Sequence, residues 1–393
     1  MTLNTSAETN RESADSITIQ FIHEAPTPHN NYLLDTIARF PNVSLFRHYL
    51  LLPTRVPGRP WKSMGNGEMQ TDRIQSGYSR YFSWGLIKLA LFDRKSVFFV
   101  IGWESPSVAL VLLILGLRRR PLLMWDDGPS AESVRLIKQL WRPKQAIKKL
   151  LIGLINRTPG TYFHTGNAKI PGILELGIQA SKLENLPFFV RPGTKSHTLR
   201  DAHQCAHPRT LILAGGRLTY QKGYDVLVSA LGRVKKNGVA DWKAVIIGSG
   251  SEKGRLIELS KSLALDDYID FVDWAEPELF ATYIHSCDIF VAPARHDHFP
   301  TTVIAAMQAG VAVVATDQVG SAVEFIESGR NGIITPSNQP EALASVLAQL
   351  IQDYNERTEF GIAGRTTIQT WPVERGAQLI IDAAWKALKA CAA

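Results

Sequence analysis

Two series of short apolar runs, each followed by a polar turn and then a helical pattern, constrain this chain more than any other feature of its sequence. In the first series, residues 17–22, 43–51, 96–101, 122–125, 161–165 and 188–190 read as strands, with helices beginning near Tyr32 and Ser107. In the second, strands at 210–214, 243–247, 268–272, 289–291, 311–316 and 333–334 alternate with helices at 225–234, 255–265, 278–286, 341–354 and 377–390. Such alternation predicts an α/β chain with parallel sheets and helices on both faces. Ile289, Phe290 and Val291 are apolar without a break, as a strand covered on both faces must be.

With 393 residues the chain is long enough for two domains. The divide falls between Arg191 and Pro208, a polar stretch with two prolines, three histidines and no periodicity. The expected organisation is a disordered polar tail over 1–15, domains over 16–192 and 209–372, and a linker over 193–208. A last helix within 373–393 is expected to return and pack on the first domain. No period of 20–50 residues recurs, so a solenoid is excluded.

Function in doubly wound sheets gathers at the carboxyl ends of strands. His29, Glu104, Asp126, Asp127 and Thr165 fall at such ends in the first half. In the second half the segment from Ile289 to Gly310 stands out. Pro300 near the start and Gly310 just past the end bracket a helix. Its free amides around Thr301 and Thr302 would attract an anion, phosphate above all. The run Gly215-Gly216-Arg217-Leu218-Thr219-Tyr220-Gln221-Lys222-Gly223 ends the first strand of that half. Arg217 can fork two hydrogen bonds to phosphate oxygens, Lys222 can add a point charge, and glycine lets a backbone come close to a ligand.

Gly248, Gly250 and Gly254 approach a dinucleotide fingerprint, with the third glycine one residue late, and Asp270 lies about 20 residues on. That keeps a nicotinamide-dependent dehydrogenase open as a reading, although this fingerprint normally follows the first strand of its domain. His296, Asp297 and His298 are adjacent and cannot all ligate one ion well, so no metal site is expected there.

Composition narrows the field further. Hydrophobic residues at 45% and charged residues at 20% describe a soluble chain with ample core. Cys205, Cys287 and Cys391 are odd in number and far apart, which fits a reducing cytosol and neither a disulfide framework nor zinc. The first 16 residues lack the basic start and apolar run of a secretory signal. The longest apolar stretch, 97–117, is broken by Glu104, Ser105 and Pro106. Only about 11 residues then remain apolar, short of the roughly 20 a crossing needs, so a buried strand and a buried helix are expected.

The net charge of +7 is unevenly divided, roughly +11 over residues 1–195 and roughly −4 over the rest. No nucleic-acid-binding motif accompanies the basic half, so nucleic acid is not expected as a partner. Residues 135–151 mix Arg135, Lys138, Arg142, Lys144, Lys148 and Lys149 with apolar side chains and Trp141. This reads as two short helices, divided at Pro143, able to lie on an anionic membrane surface; a solvated basic face over a core stripe is the alternative.

The ordered set of motifs is more specific than any one of them. Gly216-Arg217-Leu218 with Lys222-Gly223, Gly248-Ser249-Gly250, Ser286-Cys287-Asp288 with Ala292-Pro293-Ala294, and Phe299 to Gly310 resemble retaining glycosyltransferases of family four. Val319 to Glu324, Asn331-Gly332, Thr165-Gly166-Asn167, Leu176-Gly177-Ile178 and Asn185-Leu186-Pro187 continue the pattern. The resemblance spans residues 17–388 and implies the GT-B fold, two Rossmann-like domains facing across a cleft. It implies a metal-independent transferase of polysaccharide or glycan biosynthesis with no cofactor beyond its nucleotide-sugar co-substrate. A nucleoside-diphosphate sugar is expected in the second half. A lipid-linked or growing saccharide acceptor is expected in the first, at the cytoplasmic membrane face.

On that resemblance Arg217 and Lys222 grip the diphosphate, with Gly216, Gly248, Gly250, Asp297, Phe299, Pro300, Thr301, Thr302 and Glu324 completing the donor site. Asp297, Arg217, Lys222, Asp126 and Asp127 are the catalytic candidates, and His29 and Asn30 the acceptor contacts. The chain departs from the family's E-x₇-E pattern: Asp297 stands first and Ala305 second. Alanine cannot accept a bond from a ribose hydroxyl. Either Glu324 takes over, or the donor sits differently, or the chain is a silent relative that binds nucleotide sugar or assists a partner.

Overall fold

The computed structural model describes residues 16–50, 72–74, 82–103, 105–126, 142–193 and 209–392. The first domain is a parallel sheet of β1 (Ile17–His23), β2 (Val43–Tyr49), β3 (Asp72–Ile74), β4 (Val97–Ile101), β5 (Leu122–Asp126), β6 (Tyr162–His164) and β7 (Leu183–Asn185). The strand order is 3-2-1-4-5-6-7. Its helices are α1 (Pro28–Ile37), α2 (Trp84–Phe92), α3 (Pro106–Leu117), α4 (Arg142–Arg157) and the short α5 (Ile170–Leu176). Strand side chains divide between the faces with period two. Val97, Phe99, Leu123 and Trp125 enter one core, while Phe98, Val100, Leu122 and Met124 enter the other.

The second domain repeats the plan. Its strands β8 (Thr210–Gly215), β9 (Trp242–Ile247), β10 (Ile269–Val272), β11 (Ile289–Ala292), β12 (Ala312–Thr316) and β13 (Ile333–Thr335) run parallel in the order 10-9-8-11-12-13. The helices are α6 (Tyr224–Lys236), α7 (Lys253–Ser262), α8 (Pro277–Ser286), α9 (Thr301–Ala309), α10 (Gly320–Phe325), α11 (Pro340–Gln352) and α12 (Tyr354–Gln369). The chain then crosses back. α13 (Val373–Ala392) lays Ala377, Ile380, Ile381 and Ala384 into the first-domain core beside Leu33, Leu34 and Ile37 of α1. In each sheet the order reverses beside the first strand, between β1 and β4 and between β8 and β11, and ligands of such sheets bind at that reversal.

Several expectations need correction. The strand expected at 188–190 is extended chain without pairing, and the pairing segment is β7 just before it. Phe188 and Phe189 are apolar because they pack, not because they lie in a sheet. The helix expected at 341–354 ends two residues early, at Gln352, and a further helix, α12, follows it. Asp353 adopts an extended backbone, and its carboxylate caps the next helix by accepting from the Glu356 amide at 2.9 Å. Pro143 sits in the first turn of α4, where its missing N–H costs nothing, and α4 is the second of the two helices expected around it. Residues 135–141, Trp141 included, lie outside the described residues. Finally, α3 is not buried all round, because Leu110 and Leu117 are exposed.

The return of α13 depends on a small residue at the crossing. A Cβ on Gly376 would lie 2.4 Å from the Phe189 ring. Gly376→Leu is therefore expected to lower the unfolding free energy by roughly 1–3 kcal/mol through overpacking. Gly153→Ala, on a helix surface with nothing within 4 Å of the new Cβ, should be neutral or stabilising by up to about 1 kcal/mol. Urea unfolding of both variants checks this, and equal midpoints for the two would refute the packing argument.

Candidate functional site

Two loops at the carboxyl edge of the second sheet follow the neighbouring strands β8 and β9. The loop after β8, which ends at Gly215, carries Gly216, Arg217 and Leu218, and the loop after β9 carries Gly248 to Gly250. They are packed on each other. The Gly216 amide donates to the Ile247 carbonyl at 2.9 Å and the Leu218 amide to Ser249 at 2.8 Å. Gly248 and Gly250 have φ of 149° and 157°; a Cβ would meet the Gly216 and Leu218 carbonyl oxygens at 1.9 and 2.3 Å. These glycines were expected to admit a ligand, but the backbone they admit is the neighbouring loop. Asp270 forms an ion pair with Lys243 at 2.7 Å. The dinucleotide reading thus loses both its glycine pair and its ribose acid. Arg217 is exposed and makes no ion pair among the described residues.

Lys222 ends a single 3₁₀ turn, Tyr220–Lys222. That turn is pinned to the segment after β11. The Gln221 carbonyl accepts from the amides of Arg295 (2.8 Å) and His296 (3.2 Å). The Arg295 guanidinium forks onto both Asp225 oxygens at 2.8 Å, donates to the Tyr220 carbonyl, and lies 4.0 Å over the Tyr220 ring. Burial pushes the Asp225 carboxyl up, but the hydrogen bonds and charge of Arg295 outweigh it and hold the group below its ordinary range. The same bonds push Arg295 up. With its loop fixed, Lys222 forms an ion pair with Asp297, each side chain about one-fifth exposed (23% and 17%).

Asp297 opens the turn that leads to α9. Its amide donates to Gln318, and its carbonyl accepts from Gly320 at 3.0 Å. Pro300 is the residue before α9, and no side chain caps that helix, so the backbone of Thr301 and Thr302 forms its positive end. Phe299, a donor candidate, points elsewhere. Its ring is buried, 5.9 Å from Phe188 of the first domain and 6.0 Å from Phe325. It is a seam residue.

The seam also takes Glu324. One carboxylate oxygen accepts from the Asn167 amide (2.7 Å), and the other accepts from the side-chain amides of Asn167 (2.9 Å) and Asn185 (2.6 Å). Both oxygens therefore hold the first domain, where the sequence suggested a substitute for the missing ribose carboxylate. Ala305 is half-buried against the second-domain core. Beside this contact the Lys169 ammonium donates to His298 Nδ1 at 2.7 Å. Partial burial and the charges of Lys169 and His296 pull the His298 imidazole down to about 4. A neutral ring is what an ammonium donor needs.

The first-domain candidates are less open than a loop would make them. His29 and Asn30 belong to the first turn of α1, whose cap Thr27 accepts from the Asn30 amide at 3.3 Å. The His29 ring lies 4.4 Å from that of Phe188, and the buried Asn30 places Nδ2 3.4 Å from His23 Nδ1. Asp126 ends β5 and accepts from the Tyr162 hydroxyl at 3.0 Å. Asp127 and Glu104 lie outside the described residues. The reading missed Lys169 and the Arg295–Asp225 fork, and it gave Asn167 and Asn185 no role. Only the polar residues closing β6 and β7 hinted at the last pair.

With this geometry in hand, comparison with known proteins becomes informative. Residues 196–367 match the family model for glycosyl transferases group 1. The group 1 segment covers all but the last few residues of the second domain and includes Arg217, Lys222 and Asp297. An uncharacterized glycosyltransferase, MJ1607 of Methanocaldococcus jannaschii, is 31% identical over 147 residues, 37% of each chain. The amylovoran biosynthesis glycosyltransferase AmsK of Erwinia amylovora is 27% identical over 50% of this chain and 49% of its own length. The chain thus spans less than half the length of these relatives. Over whole structures, Anabaena HepE, solved with UDP and glucose, superimposes with a TM-score of 0.70 at 17% identity, covering 93% of this chain and 98% of its own. A sucrose-phosphate synthase from Thermosynechococcus elongatus gives 0.68, covering 96% and 100%. The fold is GT-B.

The Asp225–Arg295 pair gives a test of how the Lys222 turn is held. Asp225→Asn leaves a largely buried guanidinium without its counter-charge, and is expected to cost roughly 2–3 kcal/mol at neutral pH. Because Asp225 is depressed in the fold, its contribution is present above the ordinary carboxyl range and fades as pH falls through the lowered value. The gap between wild type and variant should therefore begin to narrow as pH falls below about 4 and close only below the lowered value. Denaturant midpoints across pH measure this; a gap unchanged at acid pH would contradict it.

Proposed function

We propose that the chain transfers a sugar from a nucleoside diphosphate to a saccharide acceptor, free or lipid-linked, with retention of anomeric configuration. The observation that carries this is the placing of Lys222, Asp297 and the exposed Arg217 on loops flanking the β8–β11 reversal, beside the uncapped start of α9. Relatives named for amylovoran and colanic acid biosynthesis support polysaccharide assembly as the setting. Retention rests on the motif resemblance.

In this reading the diphosphate replaces Asp297 as the partner of Lys222. The ammonium and the Arg217 guanidinium then face the bond whose cleavage leaves charge on the nucleotide, with the α9 amides behind them. Fixed cations are effective there because the Arg295–Asp225 fork has already ordered the turn. Release from Lys222 frees the Asp297 carboxylate toward the transferred sugar. The acceptor enters from the carboxyl edge of the first sheet, near His29, Asn30 and Asp126.

A silent relative that binds nucleotide sugar is the second reading. It is favoured by Ala305 and by the commitment of both Glu324 oxygens to the first domain.

Calorimetric titration with uridine, guanosine, adenosine and cytidine diphosphates, together with transfer and hydrolysis assays on a radiolabelled nucleotide-sugar panel, separates the readings. Arg217→Ala and Lys222→Ala should each lose about 1.5–3 kcal/mol of diphosphate or transition-state binding. If both variants bind and turn over like wild type, the site is misplaced. Binding without transfer or hydrolysis of any donor favours the silent relative. Ala305→Glu should be tolerated and should strengthen nucleotide binding; unchanged affinity would show that the ribose lies elsewhere.

A further inference from the structure

α2, α3 and α4 form one layer on the first sheet, their inner side chains sharing a single core. Outward they are unusual. α3 is apolar all round, its one hydroxyl, Ser107, being buried. A helix of that composition is ordinarily covered on every side. Here Leu110 is partly exposed and Leu117 is 68% exposed. On α2, Trp84 and Phe92 are 64% and 76% exposed, with the exposed Lys88 between them at helical spacing on the same stripe. On α4, Ile147 and Leu150 are exposed beside Lys149. The layer is tied together at its far end, where Arg118 donates to the Leu91 carbonyl and Arg120 to the Asp93 carbonyl, both at 2.5 Å.

The charge of this layer is one-sided. The three helices contain six Lys or Arg and no Asp or Glu. Asp93, the carboxylate that ends α2, is turned inward to Gln20 and Ser96. Arg118 and Arg119 are exposed past the end of α3. An apolar surface on a soluble monomer usually marks a contact, and here the charged side chains that these three helices set beside it are all cations, which selects the occupant by charge. We infer that this layer docks on an anionic lipid bilayer. The leucines, Trp84 and Phe92 enter the headgroup boundary, and the lysines and arginines meet lipid phosphate. Among the described residues no helix is long and apolar enough to cross a membrane, so the contact is with one face.

The inference stands on this surface alone. It also supplies a place where a lipid-linked acceptor would reach the proposed transferase. α3 follows β4 directly and so begins at the carboxyl edge of the first sheet, which brings this layer to the edge where ligands of such sheets bind.

Flotation of the full chain with vesicles of phosphatidylcholine, alone and mixed with phosphatidylglycerol, at low and high salt tests it. Wild type should float with the mixed vesicles at low salt and fail to float with phosphatidylcholine alone. Lys88→Glu with Lys149→Glu should weaken that binding by roughly tenfold or more. Phe92→Ser with Leu117→Ser should remove whatever binding survives high salt. All four positions are surface ones, and thermal melts by circular dichroism confirm folding. Transfer to a water-soluble acceptor, measured alongside, should be unchanged, so a failed membrane contact and a failed transferase reading are told apart. Equal flotation of wild type and the charge variant overturns the inference. So does no flotation with anionic vesicles, or a dimer of wild type in solution that Phe92→Ser with Leu117→Ser dissociates.

Discussion

One carboxylate is shared between the two domains. Glu324 lies on a short helix of the second domain, and the three hydrogen bonds it accepts all come from Asn167 and Asn185 of the first. Charge-assisted bonds of this kind are worth roughly twice a neutral one. Phe299 fills the space beside them, between Phe188 and Phe325, and Lys169 reaches across to His298. The turn from Asp297 to Pro300 thus both leads into α9 and forms part of the contact between the domains. Under the proposed function, a donor that moved this turn would move the seam with it, the coupling that domain closure requires.

The charges around that turn are arranged in two tiers. Arg295 and Asp225 satisfy each other completely and orient the Tyr220–Lys222 turn. Lys222 and Asp297 satisfy each other one step nearer the cleft. Under the proposed function a pyrophosphate, which carries more charge than a single carboxylate and offers several acceptors, would displace Asp297 without moving the loop. The exposed Arg217 needs no displacement at all. The first tier contributes order, and the second contributes an exchangeable partner.

Most of the architecture was legible because its determinants are local. Alternation of Phe98, Phe99 and Val100 between two cores, and the bracketing of α9 by Pro300 and Gly310, are written in neighbouring residues. Gly310 takes φ of 75°, the left-handed cap the reading assumed. What escaped is non-local. The apolarity of Phe188 and Phe189 reads as a strand until the partner ring of Phe299 is seen across the seam. Glu324 reads as a free acid until two asparagines more than a hundred residues away are placed beside it. Asp353, by contrast, was a local signal, an N-cap followed three residues later by Glu356, and it was missed because the apolar pattern around it runs on.

The uneven charge of the chain acquires a spatial meaning from the same geometry. A basic first domain could serve a soluble anionic substrate only if its cations faced the cleft. Among the described residues, Lys88, Arg118, Arg119 and Lys149 instead sit on the outer helix layer, away from the sheet and beside exposed leucine, tryptophan and phenylalanine. Long-range steering of a small donor needs no such apolar company, and a solvated face would not leave α3 without a single outward polar group. The cations proposed to serve the donor are a separate set, Arg217 and Lys222, on the more acidic half of the chain. The two proposed anion-binding functions, one by point contacts in a cleft and one by a broad apolar and basic layer, would then sit on different domains. Glu324, Phe299 and Lys169 join those domains across the seam.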